Sequence, residues 1–306
     1  MSLPRSITRD ISYASAARTR GARTLIRVLE NATGRLSLIR RADGYEQDIA
    51  RGRSFWQVMP ERYGLRLEVT RGALAEIPVQ GPLVVIANHP FGILDGLMMG
   101  HLLDTVRGDF RILANAVFRK APDLDRVLLP VSFDLGPEAV AANLETRARA
   151  LGWLREGGAV GVFPGGTVST AARPFGRPFD PGWRRFTARM IAKSGATVVP
   201  VFFEGQNSRL FQIASHLHYT LRLGLLIKEF RARVDAPVRI AIGAPIPPSV
   251  LAHMHGDPAA MMAHLRAATY ALSPALPQGA PLGYEFEDHH RDRQGAARHQ
   301  SDTERH

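Results

Sequence analysis

The sequence contains no cysteine, which excludes thiol catalysis, thiolate metal sites and disulfide bonds and leaves the redox compartment undefined. It also lacks any run of 18 consecutive apolar residues, the length that a membrane-spanning helix needs. The Gly-x-Ser-x-Gly turn of serine hydrolases is missing, as are the glycine-rich loops that bind nucleotide phosphates. Any reaction that this chain catalyses is therefore predicted to use neither a cysteine thiol nor the serine of a Gly-x-Ser-x-Gly turn, and to need no bound nucleotide.

Positive charge is abundant: the formal net charge is +11 and the pI is about 10.8. Such a balance favours an anionic partner, either a membrane surface or a nucleic acid. No nucleic-acid-binding module and no interleaved aromatic and basic motif occurs, so nucleic acid is not predicted as a partner. An anionic membrane surface is the predicted partner.

One apolar run, residues 84 to 87, ends abruptly at Asn88, His89 and Pro90. Small and β-branched residues of this kind are typical of a strand covered on both faces, and Pro90 stops the strand because it has no N–H. Two glycines let the following loop turn, so that the Asp95 carboxylate can reach one ring nitrogen of His89 and leave the other to accept a proton. The alternative is a strand-end histidine whose nitrogens bond local backbone.

Three further motifs follow: residues 116 to 120 (Ala-Val-Phe-Arg-Lys), residues 163 to 169 (Phe-Pro-Gly-Gly-Thr-Val-Ser), here called the third block, and residues 198 to 201 (Val-Val-Pro-Val). With these four blocks, over roughly residues 80 to 245, the chain resembles the glycerolipid and lysophospholipid acyltransferases. Their blocks are Asn-His-x4-Asp, an arginine-bearing block, Phe-Pro-Glu-Gly-Thr-Arg-Ser and a Val-Pro-Val strand. The resemblance implies that His89 is the general base and Asp95 its orienting partner. It also places these residues in substrate binding: Asn88, Arg119, Lys120, Gly165, Gly166 and Thr167.

The sequence departs from the family pattern at two places, the spacing between His89 and Asp95 and the third block, and the second bears on the acceptor. Five residues, not four, separate His89 from Asp95, so the turn at Gly92 must accommodate one additional residue. Gly165 and Val168 replace the glutamate and arginine of the third block, which puts a glycerol phosphate acceptor in doubt. Positive charge for a phosphate would then come from a few residues downstream: Arg173 and Arg177.

The residues also suit acyl transfer without the resemblance. Transfer from a thioester to a hydroxyl needs a base for the proton and donors for the oxyanion, but no enzyme nucleophile. The glycines of the third block let backbone N–H groups approach a ligand closely. The alternative is an ordinary strand-ending turn. Histidines two apart, at 216 and 218 and at 253 and 255, lie in helix-like surroundings, so neither a metal site nor a cofactor is predicted.

Strand and helix patterns alternate from residue 65 onward. Strands are predicted at 65–69, 83–87, 110–113, 127–131, 159–163, 197–202 and 238–242, and helices near 96–106, 137–156, 182–194, 207–217 and 257–272. The pattern predicts an α/β fold with a largely parallel central sheet flanked by helices. Ligands in such sheets bind beyond the carboxyl ends of the strands, where both His89 and Gly165 fall.

Three regions are predicted: a basic N-terminal helical region at 1–64, an acyltransferase α/β domain at 65–273 and a disordered polar tail at 274–306. Residues 1 to 41 carry nine arginines against two acids, and their apolar residues predict one or two amphipathic helices broken near Gly21. These helices lie either on a membrane or on the catalytic domain, since periodicity does not distinguish the two. An aromatic cluster at 55 to 59 is likewise core or interfacial anchor.

These observations predict a peripheral O-acyltransferase on the inner face of the cytoplasmic membrane. The donor would be acyl-CoA or an acyl carrier protein, and the acceptor a lysophospholipid such as 1-acylglycerol-3-phosphate. A phosphorus-free lyso-lipid, such as an amino-acid lipid, is the alternative acceptor. From another class, the alternative is a non-catalytic lipid-binding protein with the same fold.

Overall fold

The computed structural model describes residues 12–14, 17, 19–115, 122–131, 136–276 and 280–285. Its strands are β1 (Arg66–Arg71), β2 (Leu83–Ala87), β3 (Arg111–Asn115), β4 (Leu128–Val131), β5 (Ala159–Val162), β6 (Thr170–Ala171), β7 (Pro178–Phe179), β8 (Thr197–Phe203) and β9 (Pro237–Ile242). Its helices are α1 (Arg20–Thr33), α2 (Arg35–Ala42), α3 (Tyr45–Ala50), α4 (Phe55–Arg62), α5 (Ile93–Arg107), α6 (Pro122–Asp125), α7 (Pro137–Arg155), α8 (Arg185–Ser194), α9 (Arg209–Leu217), α10 (Tyr219–Arg231), α11 (Pro248–Leu251) and α12 (Pro258–Tyr270).

Seven strands form the central sheet in the order β1-β9-β8-β2-β5-β3-β4. The five strands from β8 to β4 are mutually parallel, and β9 runs antiparallel to β8 with β1 parallel to it. The predicted, largely parallel sheet is therefore confirmed. β2 lies at its centre between β8 and β5, and all five of its residues are buried.

Helices cover both faces of the sheet because alternate residues of each strand point to opposite sides. On one face Leu83, Val85 and Ala87 pack with residues of α2, α4, α5 and α10. On the other face Val84 and Ile86 pack with residues of α7, α8 and α12. The carboxyl end of β2 therefore emerges between two packed helical layers.

A break separates α1 from α2 within the N-terminal helical region. Helix α1 begins at Arg20, after the Thr19 side chain accepts the Ala22 N–H, so Gly21 lies in its first turn. The break falls at Gly34, which has a φ of +129° and lies so close to Arg231 of α10 that a side chain there would collide with it. Helix α1 therefore begins beside the predicted break near Gly21, and tertiary packing at Gly34 determines where it ends.

Helix α4 contains the aromatic cluster at 55 to 59, for which core and interfacial anchor were the two alternatives. Trp56, Val58 and Met59 are buried in the core that α4 shares with α5 and β2. Phe55 packs edge-on against Trp56, with ring centroids 5.3 Å apart. The aromatic cluster is therefore a core element.

Several elements of the structure have no counterpart in the predicted pattern, among them α10 and the β6–β7 hairpin. Helix α10 is buried nearly all round, so its sequence lacks the amphipathic period that reveals a surface helix. Strands β6 and β7 form an antiparallel hairpin with only two residues each, too few to show alternation.

In the predicted tail, Gly283 and Tyr284 donate backbone hydrogen bonds to Asp180 and Thr170, so ordered structure continues past residue 273. Within the described part of the chain, no helix combines the length and apolar character needed to cross a bilayer.

Candidate active site

His89 lies two residues beyond the end of β2, and Asp95 lies in the first turn of α5. The Nδ1 atom of His89 is 2.9 Å from Oδ2 of Asp95. Gly92, with a φ of +95°, forms the turn between them. Oδ2 of Asp95 also accepts the N–H groups of Phe91 and Gly92, at 2.8 and 2.9 Å, which fixes the longer five-residue connection.

The two side chains of this pair differ in exposure. The Asp95 side chain is fully buried, whereas the His89 side chain is 18 % exposed, so a substrate can reach the ring. Burial raises the pKa of the Asp95 carboxyl, and the facing His89 ring and the two N–H groups oppose that shift. One face of the imidazole ring stacks on Phe163, with centroids 4.3 Å apart and an interplanar angle of 25°. The ring is thereby held in one orientation.

A second carboxylate, Asp180, holds the backbone of His89. Its Oδ1 accepts the His89 N–H at 3.1 Å and also the hydroxyl of Ser169. Its Oδ2 accepts the Trp183 indole N–H at 2.9 Å, and the residue is fully buried. Sequence reasoning missed Asp180, because the sequence Phe-Asp-Pro at 179 to 181 is typical of an ordinary turn.

The side chain of Asn88 bonds backbone. Its Nδ2 donates to the Phe203 carbonyl at 3.0 Å, and its Oδ1 accepts the Phe203 N–H at 2.7 Å. The amide therefore joins the end of β2 to the end of β8. The chain next to His89 is therefore fixed to β8 by two hydrogen bonds.

The third block follows β5, which pairs directly with β2, so its turn lies beside His89. The N–H of Ser169 donates to the His89 carbonyl at 2.8 Å, which ties the two segments together. Gly166 has a φ of +71°, and its N–H donates to the Phe163 carbonyl at 3.0 Å within the turn. Gly165 packs against Asp180, and an added Cβ would lie 3.3 Å from the Asp180 Cβ.

Arg222 of α10 brings a buried positive charge to the third block. One terminal nitrogen donates to Val168 O at 2.8 Å and to Thr167 Oγ1 at 3.3 Å. The other donates to the hydroxyls of Thr170 and Ser215, both at 2.7 Å. Sequence reasoning missed Arg222 as well, since α10 was not predicted. The arginine thus supports the third block at Thr167 and Val168.

The remaining predicted residues lie elsewhere or outside the described chain. Arg173 and Arg177 are exposed on the β6–β7 hairpin, and Arg177 donates to the Ala275 carbonyl at 3.2 Å. Arg119 and Lys120 lie outside the described residues. Among the residues that are described, no group of three or more His, Asp or Glu side chains is placed to hold a metal ion.

The arrangement suits removal of a proton from a substrate hydroxyl. A buried carboxylate faces one nitrogen of a partly exposed imidazole at the carboxyl ends of parallel strands. The turn of the third block lies beside it, since the Ser169 N–H donates to the His89 carbonyl.

Comparisons with known proteins identify similar sequences and structures. The chain is 24% identical over 209 residues to the lyso-glycine lipid O-acyltransferase of Phocaeicola vulgatus, covering 64% of this chain and 70% of that protein. It also aligns with the crystal structure of the 1-acyl-sn-glycerophosphate (LPA) acyltransferase PlsC from Thermotoga maritima. That alignment has a TM-score of 0.46 and 15% identity, and it covers 86% of this chain and 87% of the other. A family model described as acyltransferase matches residues 21–275, well over half of the chain. The chain therefore belongs to this acyltransferase family and is an acyltransferase enzyme.

Proposed function

We propose that this enzyme transfers a fatty acyl group from the thioester of acyl-CoA or an acyl carrier protein to a hydroxyl of a lyso-lipid, with His89 as general base. The observation that carries the proposal is the 2.9 Å contact between the partly exposed His89 ring and the buried Asp95 carboxylate. The name of the Phocaeicola vulgatus relative supports a lyso-lipid acceptor.

In the proposed reaction, Nδ1–H of His89 faces Asp95, which leaves Nε2 to take the proton of the acceptor hydroxyl. The hydroxyl oxygen forms a bond to the thioester carbonyl carbon, and the carbonyl oxygen becomes an oxyanion. When the intermediate collapses, the carbon–sulfur bond breaks and the thiolate takes the proton from His89. The products are an ester and a free thiol, and the enzyme returns to its starting state.

The oxyanion would be stabilised by N–H groups of the third block. The Gly166 N–H is already used within the turn, so we assign this role to the neighbouring N–H groups of Gly165 and Thr167. Arg222 donates to Thr167 Oγ1 and to the Val168 carbonyl. These bonds keep the two N–H donors in place and add positive charge close to them.

Two acceptor classes fit the site differently. A phosphate-bearing acceptor such as 1-acylglycerol-3-phosphate would rely on Arg173 and Arg177 or on Arg119 and Lys120. A phosphorus-free amino-acid lipid is favoured by Val168, an uncharged and buried residue where the family carries arginine, and by the name of the curated relative. We therefore rank the amino-acid lipid first and the lysophospholipid second.

We further propose that the enzyme acts as a peripheral protein on the inner face of the cytoplasmic membrane. On α1, Ile26 is buried against the protein, whereas Leu25 and Val28 are 45% and 57% exposed. Arg20, Arg23 and Arg27 lie on the same helix, so a lipid face and a basic face occur together.

A product assay tests the proposal. Purified protein would be incubated in detergent micelles with radiolabelled acyl-CoA or acyl carrier protein and with lyso-lipids of both classes. We expect labelled diacyl product from an amino-acid lyso-lipid, and less from lysophosphatidate. If no lyso-lipid is acylated with either donor, the lipid acceptor is refuted; if lysophosphatidate is preferred, the order of the acceptors is reversed.

A further inference from the structure

The β6–β7 hairpin carries the most exposed large apolar side chain in the described part of the protein. The hairpin tip, residues 172 to 177, is exposed throughout, and Phe175 at its centre is 82% exposed. Exposing a phenyl ring to water is unfavourable, and a partner that surrounds the ring would remove this cost. Proline and glycine on either side of Phe175 give this tip its sharp turn.

The charged side chains around this tip are all positive. Arg173 and Arg177 flank Phe175 and are exposed, and no acidic residue occurs between 168 and 179. An aromatic ring between two arginines matches the interface of an anionic bilayer, where the ring lies at headgroup level and the guanidinium groups bind phosphates.

The base of the hairpin is held by hydrogen bonds and adjoins the active site. Ala171 is held by α9, since its N–H donates to Gln212 at 3.0 Å and its carbonyl lies 2.9 Å from Nε2 of His216. One strand starts just after the third block, and the other ends one residue before Asp180, which binds the backbone of His89. A contact at the tip is therefore connected to the catalytic histidine by a short, braced segment.

Two more exposed apolar residues lie next to the elements that brace the hairpin. Leu217, 65% exposed, follows His216 on α9. Leu282, 59% exposed, precedes Gly283, whose N–H bonds Asp180, and Tyr284, whose N–H bonds Thr170 of β6. Exposed apolar side chains therefore occur near the braced base of the hairpin as well as at its tip.

We propose that the hairpin tip is a membrane-docking element that inserts Phe175 into the interface of an anionic bilayer. Arg173 and Arg177 bind lipid phosphates, and the active site is thereby held against the surface from which a lyso-lipid enters. The proposal rests on the lipid acceptor proposed above. A bilayer is favoured over a protein partner because the projecting tip offers a single ring and two like charges, not the broad complementary patch that a protein interface requires.

The test compares vesicle binding by three proteins: wild type, Phe175→Ala, and Leu144→Ala as a matched control. Leu144 is an exposed leucine on α7, 57% exposed, away from the hairpin. On vesicles of phosphatidylglycerol and phosphatidylcholine, we expect Phe175→Ala to bind about tenfold more weakly, the scale of returning a phenyl group to water. Leu144→Ala should bind as wild type does. Equal binding by wild type and Phe175→Ala would overturn the proposal.

Two further measurements identify the partner. Arg173→Gln with Arg177→Gln should reduce the preference for anionic over pure phosphatidylcholine vesicles, by about fivefold for each arginine. In Phe175→Trp, brominated lipids should quench the new tryptophan. If quenching does not occur, and the Phe175→Ala change instead weakens binding to acyl carrier protein or self-association, the surface binds protein and the proposal fails.

Activity separates this proposal from the proposed function. Phe175→Ala should lower acylation of an acceptor embedded in vesicles and leave acylation in detergent micelles unchanged. If wild type acylates no lyso-lipid and its vesicle binding still depends on Phe175, docking stands and the lipid acceptor fails. If acylation in vesicles is normal in Phe175→Ala, docking by this residue fails and the acceptor assignment stands.

Discussion

The main-chain N–H of His89 donates to Oδ1 of Asp180, 91 residues later in the chain, at 3.1 Å. One histidine is therefore held by two buried carboxylates, at its ring by Asp95 and at its backbone by Asp180. Asp95 fixes which ring nitrogen of His89 faces the protein. Asp180 fixes the position of the end of β2 relative to the β6–β7 hairpin. We interpret Asp180 as a positioning residue that acts on His89 through the backbone.

Asp180→Asn should lower both stability and turnover. An amide can still accept the His89 N–H through its oxygen, but its NH₂ group then faces the Trp183 indole N–H, donor against donor. One lost bond with a buried unsatisfied donor costs about 1–3 kcal/mol of unfolding free energy. Denaturant unfolding and steady-state kinetics measure the two effects, and kcat should fall more than KM rises.

The double variant Asp180→Asn with Trp183→Phe provides the control. Removing the indole N–H removes the conflict, so part of the lost stability and kcat should return, and the two changes should be non-additive. Trp183→Phe alone gives the reference. If the two changes are additive within error, the indole contact does not explain the effect of Asp180→Asn.

His89→Ala should reduce kcat by roughly 10²-fold or more, because a positioned general base contributes on that scale. The measurement is acyl transfer by protein whose fold is verified by circular dichroism. His253→Ala is the matched control, since His253 is exposed on the turn after α11. Near-normal turnover in folded His89→Ala would remove the central claim of the mechanism.

The strands and the histidine–aspartate pair were predictable because their determinants are local. Residues 83 to 87 form a continuous apolar run, and six positions along the chain separate His89 from Asp95, with a glycine between them for the turn. The carboxyl ends of parallel strands also meet at one edge of a sheet, which is why His89 and Gly165 were expected to be neighbours.

Asp180 and Arg222 were not predictable, because each reaches the site through tertiary structure. Arg222 lies on a helix buried on nearly all sides, and its bonds to Thr167 and Val168 join positions 55 and 54 residues apart. Asp180 comes to His89 only because the hairpin returns the chain to β2. No periodicity or motif in the sequence encodes either approach.

Asn88 provides a test between a substrate-binding role and a positioning role. Asn88→Ala leaves the Phe203 N–H and carbonyl without partners in a buried place, which should cost about 2 kcal/mol or more of unfolding free energy. If Asn88 positions His89, kcat falls and KM for the acceptor changes little. An increase in KM with unchanged stability would instead assign Asn88 to the substrate. Asn88→Asp should resemble Asn88→Ala, since it places an oxygen against the Phe203 carbonyl.

Glu30 should make stability depend on pH with a defined sign. It is fully buried on α1 and accepts the Ser12 hydroxyl and the Tyr13 N–H. Burial raises the pKa of the Glu30 carboxyl above its ordinary value, although those bonds and the nearby Arg27 and Arg35 oppose the shift. A carboxyl with a raised pKa holds its proton more tightly in the folded state. Its contribution to stability is therefore complete below the unfolded pKa, near 4.3, and is lost as pH rises through the folded value.

Glu30→Gln should remove this dependence, because an amide keeps the acceptor for the Tyr13 N–H, gains a donor for the Ser12 hydroxyl and does not titrate. The measurement is the free energy of unfolding in denaturant from about pH 4 to pH 8, as the difference between variant and wild type, so that Asp95 and the other carboxyls cancel. The difference should move in favour of the variant as pH rises. Glu145→Gln, at an exposed position on α7, is the control. If the Glu30→Gln difference stays constant over this range, or moves in favour of wild type, the Glu30 carboxyl is not destabilised by burial and its role in holding residues 12 and 13 is that of an ordinary charged acceptor.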